Sequence, residues 1–340
     1  MPAATNQNNR NTKIDILRAI ALICIIIAHS EPNTTLAQIR NFDVVLMTLL
    51  LGTSFRLSFS KKKIHYFDYL KKRFQRLIVP TWVFLTIFFV IFYLIAYFNR
   101  DSYYFNLRQI IGSYTLLDGI GFIWIMRVFF LVAVVSPFLL IINNKLSSYL
   151  LYLLFLTMAY FVYVLLITLG QHLPGSVQKI YTEYFIYAIG YGLIASFGMR
   201  LIGLSKKETD LTLVAFIMLT TGLAFYHHFE ATQGYKYPPT IYYISYGISA
   251  SLFLYKLLDV QSIRQFFENP FVFFLSQSSS WIYFWHIIFI YLVMLFGKKM
   301  PVISGNFITR FLFIFSLAVI TTYIHEFFET KMSKRKQASV

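Results

Sequence analysis

Arg18 and His29 lie in the first apolar segment of the chain, and their side chains suit anion binding and proton transfer. They are 11 positions apart. A helix therefore places them on nearly the same face, about 16 Å apart along its axis. A cation inside an apolar segment is costly and marks a candidate functional site, and histidine is the usual general base near neutral pH. The spacing predicts a fixed cation and a proton acceptor on one helix face, unless His29 only packs or hydrogen-bonds.

A basic stretch between the second and third apolar segments is the other candidate for chemistry. It begins with the run 61–63 (K-K-K) and ends with Lys71, Lys72, Arg73 and Arg76. Arginine forks and lysine point charges suit polyphosphates, and Arg73 and Arg76, three positions apart, face the same way on a helix. Two interpretations stay open: a cytosolic phosphate site, or a basic loop that only orients the chain and binds lipid headgroups.

Composition limits the kind of protein that carries these residues. Of 340 residues, 58% are hydrophobic and only 13% are charged, against about 25% charged in a typical soluble domain. This excludes disorder and a soluble multidomain enzyme. The net charge of +16 would suggest nucleic acid, but the apolar fraction argues against it. With Cys24 as the only cysteine, a disulfide framework and a Cys-rich metal cluster are excluded.

The apolar segments predict an all-α, polytopic integral membrane protein with about ten transmembrane helices, since about 20 apolar residues span a bilayer. We expect a cytoplasmic tail over 1–13, one ten-helix membrane domain over 14–328 and a basic cytoplasmic tail over 329–340. The first segment contains Arg18 and lacks a small-residue cleavage site, so it is interpreted as a retained helix. The ten segments are 14–30, 42–60, 78–98, 121–142, 149–170, 181–201, 211–229, 240–258, 275–297 and 307–328.

The distribution of lysine and arginine predicts the orientation of these helices. Nineteen of the 30 basic residues fall on one side and seven on the other, which places both termini in the cytoplasm. The remaining four, Arg18, Arg56, Arg127 and Arg310, lie inside predicted helices. Arg56 and Arg310 are near helix ends, where snorkelling to the interface is an alternative to function. Arg127 lies deeper, which favours a functional or ion-pairing role.

Four motifs together resemble the integral-membrane acyltransferase-3 family over residues 13–328. The stretch 15–30 (D-I-L-R-A-I-A…A-H-S) is similar to the family's opening motif, in which ten residues separate Arg and His. The stretch 72–76 (K-R-F-Q-R) resembles its R-R-x-x-R motif, with Lys72 in place of the first arginine. The stretches 122–124 (F-I-W) and 280–286 (S-W-I-Y-F-W-H) resemble its Trp-containing segment and its S-x-x-I-Y-x-x-H segment.

The resemblance implies transfer of an acyl group, usually acetyl, from acetyl-CoA to a hydroxyl of a cell-surface polysaccharide or lipid-linked sugar, in the plasma membrane. It implies that the donor is anchored by Lys72, Arg73 and Arg76, with Arg56 and Arg127 as further donor-binding candidates, and extends past Arg18. His29 would take the proton of the acceptor hydroxyl, or would itself be acylated in a two-step route. The expected partners are acyl-CoA, the sugar acceptor and membrane lipid. No metal and no nucleic acid are expected.

The remaining candidates extend this interpretation. Glu183 would orient His29 or bind sugar hydroxyls, His286 would be a second acid–base group or an acceptor contact, and Tyr283 and Trp124 would contact the substrate. The alternative for all four is an ordinary place at the membrane interface, where aromatic and polar side chains concentrate.

A competing function is transport or flipping of a glycan or lipid along the same charges, and another is glycan polymerisation. The cluster of His227, His228 and Glu230 imitates a metal site, but consecutive histidines on a helix point about 100° apart.

Overall fold

The structure is a computed structural model that describes residues 11–60, 62–117 and 119–338, with side chains described as far as 332. Arg10, Lys61 and the basic side chains of the last residues, which enter the predicted charge asymmetry, lie outside this part. Within the described ranges the chain is helical, and its one β-type pairing is an isolated bridge between Lys236 and Pro239. The predicted all-α fold is confirmed.

Sixteen α-helices make up the described part of the chain, together with a π-helical turn at Tyr181–Ile186 and short 3-10 turns. In chain order they are α1 Thr12–His29, α2 Thr34–Ile39, α3 Asp43–Phe59, α4 Tyr66–Asn99, α5 Leu107–Tyr114, α6 Trp124–Lys145, α7 Tyr149–Gly170, α8 Gly175–Ile180, α9 Tyr187–Leu201, α10 Lys206–Tyr226, α11 Ile241–Leu257, α12 Gln261–Phe267, α13 Pro270–Gln277, α14 Ser279–Phe296, α15 Pro301–Ser304 and α16 Phe307–Ala338.

Eight helical stretches of the described chain are long and apolar enough to cross a membrane. The other two predicted spans are also helices. Helix α1 has 18 residues but carries Lys13, Asp15 and Arg18, and α11 has only 17 residues. The number of charged residues in α1 and the short length of α11 therefore explain why eight stretches qualify as spans and not the ten predicted. The chain is a multi-pass membrane protein.

Helix α4 differs from the predicted third segment, which was expected to start at 78 after a basic loop. The helix instead begins at Tyr66 and continues through Pro80 to Asn99. Asp68 lies in its first turn, where a carboxylate stabilises the helix dipole. A proline is tolerated inside a membrane helix because neighbouring groups satisfy the freed backbone carbonyl. Lys71, Lys72, Arg73 and Arg76 are consequently helical residues with fixed relative directions.

Two other predicted spans are interrupted helices. The segment 275–297 is divided at Ser278, between α13 and α14, and α13 starts with Pro270 behind an Asn269 cap whose side chain accepts the Val272 N–H at 3.1 Å. The segment 181–201 opens with the π-helical turn before α9. Asn at the cap and Pro at the first position are ordinary helix starts, so α13 begins at Pro270. The break at Ser278 lies within a continuous apolar run, and hydropathy alone does not indicate it.

Contacts divide the chain into two compact units. The first comprises Met1–Leu46 and Ala250–Val340, and in it α1 packs on α13, α14 and α16. The second comprises Met47–Ser249, and in it α6 packs on α4 and α9. Glycines let backbones approach closely in the second unit, since a Cβ on Gly198 would lie 2.1 Å from the carbonyl oxygen of Leu49. The predicted single membrane domain stays a prediction.

Candidate functional site

The first unit brings His29 and His286 together. His29 is the last residue of α1, and His286 lies two turns into α14. The Nδ1 atom of His29 is 2.9 Å from the Nε2 atom of His286, and the two ring planes are inclined by only 12° with their centroids 5.2 Å apart. His286 is fully buried, whereas His29 is half-buried. Both predicted residues therefore belong to one hydrogen-bonded pair.

The hydrogen bonds of His286 assign the tautomers of both rings. Its Nδ1 atom contacts the carbonyl oxygen of Tyr283. A carbonyl only accepts hydrogen bonds, so this Nδ1 carries the proton and the Nε2 of neutral His286 is an acceptor. His29 must then donate from Nδ1. The lone pair of neutral His29 is therefore on Nε2, the nitrogen directed away from His286.

Arg18 is held by Asp15 and by Ser276 of α13. The Ser276 hydroxyl donates to Asp15 Oδ1 at 2.7 Å, and Arg18 Nη1 donates to the Ser276 Oγ at 3.3 Å. The Arg18 Nη1 and Asp15 Oδ1 atoms are 3.5 Å apart. Arg18 thus contacts α13 and His29 contacts α14, so both predicted residues of α1 face the α13–α14 segment.

In the second unit, a pocket of about 360 Å³ lies at the start of α4. The predicted donor-binding residues Lys72, Arg73 and Arg76 all line it. We call this cavity the basic pocket. Its other lining residues are Ser58, Phe59, Lys63, Ile64, His65, Asp68 and Tyr69.

Arg56 and Arg127 do not line the basic pocket. Arg56 donates to the side-chain oxygen of Asn143, whose amide donates to the Tyr152 hydroxyl at 3.3 Å. That hydroxyl is in turn 2.7 Å from the Ser196 hydroxyl. Arg56 therefore ends a chain of hydrogen bonds among α3, α6, α7 and α9, which favours a packing role over a donor-binding one.

Arg127 and Glu183 form a buried ion pair with Arg127 Nη1 2.6 Å from Glu183 Oε2. Arg127 also donates to the Leu116 carbonyl, and its guanidinium lies 5.4 Å from the Tyr184 ring centroid and 5.9 Å from that of Tyr187. Glu183 lies in the π-helical turn, a distortion common at functional sites. The ion-pairing alternative for Arg127 is thus what the structure shows.

Trp124 lies one turn before Arg127, at the start of α6. Its ring is 4.9 Å from that of Tyr237 and 6.3 Å from that of Tyr191, and the Lys236 ammonium is 5.9 Å from its centroid. Trp124 is only half-buried and Tyr237 is exposed. An exposed aromatic surface of this kind suits the faces of sugars, and substrate contact by Trp124 stays a prediction.

The structure adds residues to which the sequence analysis assigns no role. Asp15 has a sequence signal, since it precedes Arg18 by three positions, the spacing of a helical ion pair. Ser276 has none. In the basic pocket, Phe59, Ile64 and Tyr69 add an apolar wall that a charge count cannot reveal.

At the end of α10, His227 and Glu230, whose types suggest a metal site in the sequence, form a hydrogen-bonded cluster with Tyr235. The Tyr235 hydroxyl lies 2.8 Å from His227 Nδ1 and donates to Glu230 Oε2 at 2.7 Å. This bond to the carboxylate raises the pKa of Tyr235, because it stabilises the protonated phenol. Among the residues that the structure describes, no three His, Cys, Asp or Glu side chains are grouped as metal ligands.

Comparison with known families gives a match to residues 11–326, nearly the whole chain. The matching model is that of the acyltransferase-3 family and is described as an acyltransferase domain. Neither the curated proteins nor the solved structures give a match.

Proposed function

The chain belongs to the integral-membrane acyltransferase-3 family and is a membrane acyltransferase, and from this premise we propose its donor, acceptor and base. The donor is cytosolic acyl-CoA, with acetyl as the first candidate acyl group. The acceptor is a hydroxyl of a cell-surface polysaccharide or lipid-linked sugar. The base is His29.

The tautomer of His29 carries this proposal. Its Nε2 lone pair takes the proton of the acceptor hydroxyl while the oxygen attacks the thioester carbon. The positive charge on the resulting imidazolium is stabilised by the hydrogen bond from Nδ1 to His286 Nε2, 2.9 Å away. When the tetrahedral intermediate collapses, the C–S bond breaks and the thiolate of CoA leaves. The proton on His29 is then given to that thiolate, and the neutral base is restored.

We propose that the donor is anchored by Lys72, Arg73 and Arg76. The supporting observation is that these three cations, separated in sequence by Phe74 and Gln75, converge on one pocket. CoA is polyanionic, and such cations suit its phosphates. The other predicted donor-binding residues, Arg56 and Arg127, are engaged elsewhere, so the proposed donor site does not depend on them.

The proposed location is the plasma membrane with both termini in the cytoplasm. Support comes from the asymmetry of lysine and arginine between the two sides of the predicted helices. In this orientation the start of α4, with the basic pocket, faces the cytosol that supplies acyl-CoA.

The decisive experiment measures transfer of labelled acetyl from acetyl-CoA to cell-surface glycan acceptors by the purified protein in nanodiscs. His29→Gln should lower the rate by about 10²- to 10⁴-fold, the usual contribution of a general base. His172→Gln is the matched control, because His172 is exposed between α7 and α8 and should retain the full rate. Glycan uptake into vesicles without acyl transfer would instead identify a transporter.

A second experiment tests the donor site. Lys72→Ala and Arg76→Ala should each raise the KM for acyl-CoA by about tenfold, the lower end of what a hydrogen bond to a charged group contributes. Lys71→Ala removes the same charge from the next position of the same helix, outside the pocket lining. Equal effects of Lys71 and Lys72 substitutions would mean that the basic stretch acts only through its total charge.

A further inference from the structure

We infer that Arg310 is a positioning residue for His29. Its guanidinium binds the turn of Ser30 and Glu31, which follows α1, and thereby keeps the His29 ring in place against His286. This inference deepens the proposed function and rests on His29 being the base. Arg310 exerts this role through the backbone that carries His29, not through contact with the reacting atoms.

The position of His29 depends on the last turn of α1, because His29 is the final residue of that helix. Carbonyl groups in the last turn have no partner further along the helix, and helix ends fray for this reason. Ser30 secures part of the turn. Its N–H donates to the Ile27 carbonyl at 3.1 Å and its hydroxyl donates to the Ile26 carbonyl at 2.8 Å. The helix then ends, because the backbone turns away at Glu31.

Glu31 has a left-handed backbone, with φ at 54°. Glycine is the usual residue at this place after a helix, since a side chain makes the left-handed conformation costly. Such a conformation persists only where surrounding contacts hold it. The Glu31 carboxylate forms an ion pair with Arg310, so Arg310 supplies one of these contacts two residues after His29.

The Arg310 guanidinium bridges two segments of the first unit. Its Nη1 donates to the Ser30 carbonyl oxygen at 3.4 Å and to the Glu31 carboxylate, and its Nη2 donates to the Ser304 carbonyl oxygen. The side chain is only 13% exposed, so it is bound inside the protein instead of extending outward. The planar fork presents separate donors to each segment, which the compact ammonium of a lysine does not.

Helix dipoles favour a role of Arg310 at α1 over a role in its own helix. Arg310 is the fourth residue of α16 and lies in its first turn. A cation is unfavourable there, because the N-terminus of a helix carries a partial positive charge. The C-terminus of α1 carries the opposite partial charge on its free carbonyls and attracts a cation. The guanidinium is thus placed where it stabilises the end of the helix that bears His29.

The Ser304 contact extends the bridge to the helix that carries His286. Ser304 is the last residue of α15, and its hydroxyl donates to the Gly297 carbonyl at 2.8 Å. Gly297 directly follows α14, and a Cβ on it would lie 3.1 Å from the Ser304 Cβ, so the two segments are closely packed. Arg310 therefore connects the ends of α1 and α14. A small shift between these helices would break the 2.9 Å bond between the two rings.

The kinetic test measures acyl transfer per folded molecule in nanodiscs. Arg310→Gln should lower kcat by about 10²-fold, the cost of a misplacement of about 1 Å, with the KM for acyl-CoA and for the acceptor unchanged. Arg310→Lys should recover only part of the rate. Lys298→Gln removes an exposed charge from the segment just after α14 and should retain the full rate. A rise in the acceptor KM at unchanged kcat would show that Arg310 contacts the acceptor, and would overturn the inference.

Two substitutions of Glu31 separate the turn from the charge. Glu31→Gly and Glu31→Val both remove the carboxylate, but glycine adopts the left-handed conformation freely whereas a β-branched residue strongly disfavours it. Glu31→Gly should keep a kcat close to that of the wild type, and Glu31→Val should lower it about as much as Arg310→Gln. Equal kcat values for the two would overturn the inference. Since Arg310 stays in place, this pair remains informative even if Arg310→Gln does not fold.

A spectroscopic measurement needs no turnover. In protein with isotope-labelled histidine, the nitrogen NMR signals of His29 are assigned by comparison with His29→Gln. The wild type should show one tautomer of His29, protonated on Nδ1, whereas Arg310→Gln should show both tautomers because the bond to His286 is lost. A single, unchanged tautomer in Arg310→Gln would refute this inference alone. Full acyl transfer by His29→Gln would refute the proposed function, whatever the tautomers show.

Discussion

The Nδ1 atom of His29 lies 2.9 Å from the Nε2 atom of His286, although 257 positions separate the two residues in the chain. One is the last residue of the first helix, and the other is buried in α14. Because His286 uses its own Nδ1 on the Tyr283 carbonyl, it presents an acceptor to His29 and fixes which nitrogen of His29 is basic. In this pair His29 corresponds to a general base and His286 to the residue that orients it.

The first prediction concerns His286 as the partner that orients His29. His286→Ala should lower kcat by about 10²-fold, within the range attributed to general-base catalysis, because His29 loses the acceptor that fixes its tautomer. His286→Gln keeps an acceptor oxygen and should recover part of that loss. The KM for acyl-CoA should change in neither variant. The readout is steady-state kinetics across a range of pH.

A rise in the acceptor KM at unchanged kcat would contradict the orienting role of His286. It would support the sequence-based prediction that His286 contacts the substrate. The His172→Gln protein again provides the matched histidine control.

The second prediction concerns the cluster that holds Arg18. Asp15→Asn and Ser276→Ala should each destabilise the protein by about 1–3 kcal/mol, the cost of disrupting a buried hydrogen bond. The double variant should lose less than the sum of the two, because both side chains share one hydrogen bond of 2.7 Å. Thermal unfolding in detergent measures these differences. Additive losses would mean that Asp15 and Ser276 do not act together.

The sequence predicted which residues form the candidate site better than it predicted which residues they contact. The sequence predicts Arg18 and His29 from their types within an apolar segment and from their spacing, because a helix places residues 11 positions apart on a common face. Their partners on α13 and α14 were not found, since helices that are apolar on every face carry no signal for which neighbour each face contacts. The sequence predicts His286 as a second acid–base group or an acceptor contact, with a place at the membrane interface as the alternative, and its contact with His29 depends on tertiary packing.

The basic stretch illustrates a second limit. The sequence predicts a loop over this stretch, because its basic residues precede an apolar segment that begins only at 78. In a membrane helix, however, proline is tolerated in the interior, so α4 extends back to Tyr66. The sequence therefore predicted the cations of the basic pocket, but its apolar wall depends on contacts with residues far along the chain, such as the one between Tyr69 and Ala133.

The third prediction separates two roles for Glu183. Its ion pair with Arg127 is buried, with side-chain exposures of 19% and 4%. Removing one partner of a buried pair costs about 3–5 kcal/mol when the other charge is left unpaired, which applies most directly to loss of Glu183, since Glu183 itself also lies 4.0 Å from the Lys179 ammonium. Glu183→Ala and Arg127→Ala should therefore both lower the unfolding temperature strongly, and Arg127→Met with Glu183→Leu should restore part of it.

The catalytic role predicted for Glu183 has a different signature. In that case Glu183→Gln would lower kcat per folded molecule while the unfolding temperature stayed near that of the wild type. We expect the opposite result, because the Tyr184 and Tyr187 rings and the Leu116 carbonyl surround Arg127 and make Glu183 its counterion. Measuring both quantities on the same preparations distinguishes the two roles.

The fourth prediction tests the orientation on which a cytosolic donor site depends. Cys24 is the only cysteine, so Cys24→Ser gives a background without thiols. Ser60 and Ser102 are both exposed. Ser60 follows the last residue of α3, next to the basic start of α4, and Ser102 follows the opposite end of α4. In intact cells, a membrane-impermeant maleimide should label Ser102→Cys but should label Ser60→Cys only after lysis. The reason is that the lysine-rich end of α4 is retained on the cytoplasmic side by the positive-inside rule. Labelling of Ser60→Cys in intact cells would place the basic pocket outside, where no acyl-CoA is supplied, and would remove the proposed donor site.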